Sequence, residues 1–344
     1  MDQSSTMRTW CIVFAYAALS LTTFIFAGFT IHPRLMYPGF ASLCFGCLAS
    51  VVLTIRGPDH PLSRACGGVL QQALCGCATV WFECAAARTG SAYIDGSAMA
   101  FDRAIGYDWQ AYATFVAAHP VFRELLGRAY FSFLPQLTIV IFILGLTHGA
   151  KMNRFIVANV FVLTLTVAIF SIAPETSPSI HEKIAIGSAQ AMGLPRMSWV
   201  TTLHDLRSGS FLQLDGTASM AIIGFPSYHC SGAILLSWAA LSLRRLRLVV
   251  LPLNAVMIAS TPYFGGHYIA DLAMGTIVAL FGIWLSKRVL PEPDGAAAPM
   301  PVAVPQKAFA LARLASLRPI QGALARRQSR NVTAPLQTLV PSTA

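Results

Sequence analysis

An all-α bundle of about eight membrane-spanning helices is the fold class this sequence predicts, and three observations lead there. Hydrophobic residues make up 55% of the 344 residues and charged ones only 11%, against roughly 25% charged in an ordinary soluble domain. The apolar residues come in long runs, and a run of about 20 is what a helix needs to cross a bilayer. Basic residues gather in alternate connections between the runs, which is how charge fixes orientation in a membrane.

The first run, 11–31, follows a single basic residue, Arg8. It exceeds the ~7–15 residues of a signal-peptide core and lacks a cleavage site, so it reads as a retained helix. A second run covers 35–55. The turn RGPDHPLSR, at 56–64, breaks the chain with two prolines. The third run, 66–87, carries one acid near its end, Glu83, which either faces a bundle partner or snorkels to the interface. A loop at 88–123 contains FDRAIGYDWQAYATFV, which suits one or two short interfacial helices. The fourth run, 125–146, includes Pro135 as a kink. After His148, Lys151 and Arg154 comes the fifth run, 155–173, closed by Pro174. The longest polar stretch, 175–224, holds HDLRSGSF at 204–211. The sixth run starts at Pro226 and stops before Arg244, Arg245 and Arg247; the seventh is 248–263 and the eighth 267–285.

Eight helices put both termini on one side. One set of connections carries Arg56 with Arg64, Lys151 with Arg154, the Arg244–Arg247 cluster, and Lys287 with Arg288. The positive-inside rule assigns that side to the cytoplasm and the long loops to the external face. The expectation is a multi-pass plasma-membrane protein (the inner membrane of a bacterium, its loops periplasmic). The net charge of +10 then reports topology and contact with membrane lipids rather than nucleic acid. Seven of the eight cysteines lie in the first three runs, where Cys behaves as a small hydrophobe. Cys44 and Cys47 form a CxxC with no second pair, too little for a zinc or redox site, and no disulfide framework is suggested. No internal repeat is visible. The tail 291–344 is rich in Pro and Ala and gathers Lys307, Arg313, Arg318, Arg326, Arg327 and Arg330. It is expected to be a disordered cytoplasmic tail, with FALARLASL alternatively lying on the anionic leaflet as a basic amphipathic helix.

Chemistry concentrates between Gly224 and Gly275. Ionisable groups at the edge of hydrocarbon are costly, so His229, His267 and Asp271 at the mouths of apolar runs are candidate functional residues. His267 and Asp271 stand four residues apart at a helix start, on one face. A carboxylate there can hold one imidazole nitrogen and leave the other more basic, which a nucleophilic or general-base histidine needs. Gly265 and Gly266 leave room at that helix mouth. His229 follows Pro226 and Ser227, and a helix start with free N–H groups and a hydroxyl can hold an anion. Two histidines beside such a start suit phosphoryl transfer, one attacking phosphorus and the other protonating the leaving oxygen. A metal pair at HxxxD, with His229 as third ligand, is the weaker reading.

PSYH followed about 38 residues later by GGHYIAD resembles the second and third signature blocks of the type 2 phosphatidic acid phosphatase (PAP2) superfamily. STPYFGGHYIAD, with DRAIGYDWQAY and AYFSFLPQ before it, is similar to the inositolphosphotransferase branch. The resemblance spans 101–287. It implies a six-helix catalytic core within 66–290, preceded by two helices in 1–65. It also implies a phosphohistidine on His267, oriented by Asp271, with His229 as acid and Ser227 and Gly266 at the phosphate; neither metal nor cofactor is required. The third block of the phosphatases begins Ser-Arg, whereas Ser260 is followed here by Thr261, and the first block has no clean counterpart. Arg207 is the candidate replacement cation, with Arg128 and Arg103 behind it. The implied enzyme works on a lipid phosphate or phospholipid head group, and hydrolysis and transfer both stay open. A transporter using the same His/Asp cluster as a proton or ion path is the alternative.

Overall fold

A computed structural model describes residues 3–31, 60–182, 198–210 and 222–291, with positions 46, 57, 213 and 214. The second predicted helix, the CxxC and the tail beyond Pro291 lie outside these residues. The described chain is an all-α bundle of twelve helices. In order they are α1 (Gln3–Phe26), α2 (Pro61–Ala87), α3 (Asp95–Ala104), α4 (Trp109–Ala118), α5 (Pro120–Phe131), α6 (Phe133–Thr147), α7 (Gly149–Ile172), α8 (Pro178–His181), α9 (Ser198–Ser208), α10 (Tyr228–Ala240), α11 (Arg247–Phe264) and α12 (Ile269–Val289). The one sheet among the described residues is a two-residue parallel ladder, pairing Thr30 with Gln213 and Ile31 with Leu214.

Five helices, α1, α2, α7, α11 and α12, are long and apolar enough to cross a membrane, and α5 with α6 makes a sixth, bent span. Local chemistry sets their starts. His60 caps α2 by accepting the Leu62 amide on Nδ1, and Pro61 follows in the first turn, where its missing N–H costs nothing. Asp108 caps α4 and Ser227 caps α10 in the same way. The predicted kink at Pro135 falls earlier: α5 ends at Phe131, α6 begins at Phe133, and the pair bends by 45°. Pro135 cannot donate to the carbonyl four residues back, that of Phe131, and its ring crowds that oxygen, so the break comes a turn upstream. The sixth run is also shorter than read, because the chain turns at 241–246 before α11 begins.

α7 is the central helix, with most of its side chains buried between α2, α10 and α12. Small residues permit close approach, as expected where van der Waals contact drives helix association. A Cβ on Gly145 of α6 would fall 2.4 Å from the Ala65 Cα, and one on Gly275 of α12 would fall 2.6 Å from the Ser227 carbonyl oxygen.

The bundle has two chemically different ends. At one, Arg64 donates to the Gly145 carbonyl, Arg154 donates to the Leu290 carbonyl, and Lys151 sits over the Trp238 ring. At the other, the end of α7 meets α3 through a bond from the Ile94 amide to the Pro174 carbonyl, and α3 in turn bonds the start of α12. The predicted interfacial loop is therefore ordered as α3 and α4, and α4 holds the end of α11 through Trp109 Nε1 donating to the Pro262 carbonyl at 2.8 Å. All the groups discussed next lie at this second end.

Candidate active site

His267 is not on a helix. It lies in the three-residue link before Tyr268, the N-cap of α12, and Asp271 is the third residue of that helix. The contact expected from the spacing is present but is built by capping rather than by a shared helical face. Asp271 Oδ2 accepts the Tyr268 amide at 2.8 Å and lies 3.0 Å from His267 Nδ1. The His267 side chain is only 6% exposed and that of Asp271 is fully buried. An imidazole so held donates from Nδ1 and presents Nε2 as its lone-pair nitrogen. Gly265 makes the fit possible, because a Cβ there would fall 2.5 Å from the ring's Cδ2. Gly266 adopts φ +65°, which turns the chain into the link at no steric cost.

Acidic residues missed in the sequence hold this link from behind. Asp102 on α3 takes the Ile269 amide at 2.9 Å and the Ala270 amide at 3.1 Å. Asp95 takes the Thr176 and Ser177 amides and the Thr176 hydroxyl, and the Tyr268 hydroxyl donates to it at 3.3 Å. That ties the loop after α7 to the link before α12. Glu175, in that loop, is fully buried, and its carboxyl packs where a Gly224 Cβ would stand. Burial first, and the neighbouring charge of Asp271 second, hold Glu175 protonated well above the usual carboxylate range. The Glu175 and Asp271 carboxyls approach within 4.8 Å of each other, and neither Asp271 Oδ1 nor either Glu175 oxygen meets a hydrogen-bond partner among the described residues.

His229 reaches the same place from α10. Its ring stacks on Tyr130, with centroids 4.2 Å apart, and tilts against Phe133 at 5.0 Å. His229 and His267 both line one cavity of about 390 Å³ whose remaining wall is mainly apolar and comes from α2, α6, α7 and α10. The structure therefore brings His229, His267 and Asp271 together.

The other expected groups are placed differently. Ser227 is fully buried, its hydroxyl accepting the Cys230 amide at 3.4 Å as the cap of α10, and it does not line the cavity. Arg207 on α9 donates to the Ser91 carbonyl at 2.6 Å and lies over the Tyr93 ring. Arg128 pairs with Glu124 on an exposed face. Arg103 lines a smaller cavity of about 170 Å³ with Asp102, Asp108 and Glu182. None of the three arginines borders the cavity of the two histidines. The first-turn amides of α10, at Tyr228 and His229, have no acceptor within the helix, as at any helix start.

A metal, if bound, would find Glu175, His267 and Asp271, whose ligand atoms lie within 4.8 Å of one another. Glu175 rather than His229 is thus the third candidate ligand.

The described residues thus form an all-α bundle with helices long and apolar enough to cross a membrane, and a buried Asp–His pair and a second histidine meet at one cavity of it. The sequence model of the PAP2 superfamily matches residues 97–285, from α3 into α12, and the chain belongs to that superfamily. No curated protein and no solved structure matches it.

Proposed function

We propose that this protein is an integral-membrane phosphatase or phosphotransferase acting on a lipid phosphate or phospholipid head group through a phosphohistidine. The observation that carries the reading is the 3.0 Å contact of His267 Nδ1 with Asp271, which leaves Nε2 to attack phosphorus on the cavity shared with His229. In the first step the Nε2–phosphorus bond forms, the phosphorus–oxygen bond to the leaving group breaks, and His229 gives that oxygen a proton. In the second step water or an alcohol returns a proton to neutral His229 as its oxygen bonds phosphorus and the Nε2–phosphorus bond breaks. Ser227 acts through the helix start it caps, and Gly266 through the turn that sets the His267 ring. STPYFGGHYIAD and the missing Ser-Arg favour transfer of the inositolphosphotransferase kind over simple hydrolysis. No cofactor is needed, and the partners are membrane lipids. The basic end faces the cytoplasm and the histidines face outside, towards the periplasm in a bacterium.

The test uses purified protein with chelator present. Phosphatidate, isoprenyl diphosphate and an inositol phospholipid with an acceptor lipid are offered, and free phosphate and new phospholipid are both assayed. Turnover abolished in His267→Ala is the expected result. Full activity of that variant sinks the mechanism, and activity lost to chelator and restored by zinc promotes the metal reading at Glu175, His267 and Asp271.

A further inference from the structure

The break between α5 and α6 sets one aromatic ring from each helix against His229. Tyr130, next to the end of α5, stacks on the imidazole nearly face to face, with centroids 4.2 Å apart and planes 14° from parallel. Phe133, the first residue of α6, leans on it at 5.0 Å and 46°. Both rings are themselves fixed. Phe133 fits because position 232 of α10 is glycine, where a Cβ would fall 2.5 Å from the Phe133 Cε2. Tyr130 is backed by Phe264 at 5.9 Å, and Phe264 in turn packs on Gly127, where a Cβ would fall 3.0 Å from its Cζ. Phe264 is the last residue of α11 and leads through Gly265 and Gly266 into His267. One column of rings therefore joins the segment that carries His267 to the ring of His229.

Phe133 lines the cavity and Tyr130 does not, so the Tyr130 ring serves the imidazole rather than a ligand. His229 also lacks what His267 has. The titratable groups lining the cavity with it are Glu83, Tyr228 and His267, and no ion pair joins His229 to a carboxylate among the described residues. An imidazole without a carboxylate, beside mainly apolar walls, is hard to keep protonated. The face of an aromatic ring attracts a cation, more strongly as water is excluded, and 4.2 Å is well inside the ~6 Å over which that attraction acts. We infer that Tyr130 is a positioning residue for the reaction: its ring face fixes the plane of His229 and stabilises the imidazolium whose proton goes to the leaving oxygen. The imidazolium matters only if His229 is the acid of the proposed phosphohistidine reaction; the fixed ring plane does not depend on that reading.

The test compares two phosphate monoesters on the full-length protein in lipid nanodiscs. One is dioctanoyl phosphatidate, whose alkoxide leaving group needs a proton; the other is 4-nitrophenyl phosphate, whose phenoxide does not. The value of kcat/KM, which covers the steps up to the first product, is measured for Tyr130→Leu, Tyr130→Phe and singly to triply fluorinated phenylalanines at position 130. Fluorine keeps the ring in place and drains negative charge from its face. Tyr130→Leu and the triply fluorinated ring should each lower kcat/KM for phosphatidate about tenfold more than for 4-nitrophenyl phosphate. Tyr130→Phe, which keeps the ring, should restore most of what Tyr130→Leu loses. Equal losses on the two esters, or a fluorine series without slope, overturn the inference. His229→Ala tests the underlying reading separately: if it lowers both esters equally, His229 is not the acid. The stack is also read without turnover, by NMR of the carbon-bound ring protons of His229, assigned by difference from His229→Gln. They should lie upfield in the wild type and in Tyr130→Phe, and their absence there overturns the stack and the inference with it.

Discussion

The Asp102 carboxylate accepts the Ile269 amide at 2.9 Å, joining two helices through residues 167 apart in sequence. With Asp271 on the Tyr268 amide, two acidic side chains serve the start of α12. A helix N-terminus favours negative charge there by about 0.3–1 kcal/mol. The position of His267, two residues upstream, is therefore set from α3 as much as from its own helix.

Removing that clamp should loosen the link. Asp102→Ala is expected to lower stability by about 1–2 kcal/mol, as for a lost helix cap, and to lower turnover as well because the link carries His267. Asp102→Asn, which still offers one acceptor oxygen, should fall between. Thermal unfolding in detergent beside an activity assay measures both. Reduced turnover at unchanged stability would contradict a capping role.

Asp271 has two duties that a single substitution separates. Asp271→Asn can still accept the Tyr268 amide, so the fold should survive. Its neutral amide no longer stabilises the imidazole that the proposed mechanism turns into a phosphohistidine, and turnover should fall by about 10⁴, as for the Asp→Asn change in a hydrolase triad. A variant with near-normal turnover would mean that Asp271 only caps.

What the sequence disclosed follows from the range of each interaction. The spans at α1, α2, α7, α11 and α12 were legible because run length alone decides them. His267 and Asp271 were legible because their contact is local. Asp102, Asp95 and Glu175 were not, since an acid in YIDGSAMAFDRAIG or SIAPETSP acquires its role only when α3, the end of α7 and the start of α12 meet. The sequence points to the proline itself as the kink, while the crowded carbonyl lies a turn earlier. Arg207 stands out in the sequence by its charge, and charge does not reveal the partner a folded chain provides.

Arg207 therefore gives a sharp contrast. Its bond to the Ser91 carbonyl and its contact with Tyr93 tie α9 to the segment before α3. Arg207→Ala should cost about 1–3 kcal/mol of stability for the lost charged donor and leave the KM for a phospholipid donor within about twofold. A tenfold rise in KM with unchanged unfolding would instead make Arg207 a phosphate ligand.

Glu175 sets a pH dependence whose sign can be worked out. Burial, and then the charge of Asp271, raise its folded pKa well above the ordinary carboxylate value of 4.5. Over the window between that value and the raised one, the folded protein holds a proton that the unfolded chain has released. Stability from this group is complete below the unfolded pKa and is lost as pH rises through the folded one. Glu175→Gln keeps the shape but cannot ionise. Wild type should unfold at progressively lower temperature as pH is raised from 5 to 9, and Glu175→Gln should flatten that slope. Parallel curves for the two proteins would mean that Glu175 is already ionised in the fold, and a cation beside it and Asp271 would then have to be sought.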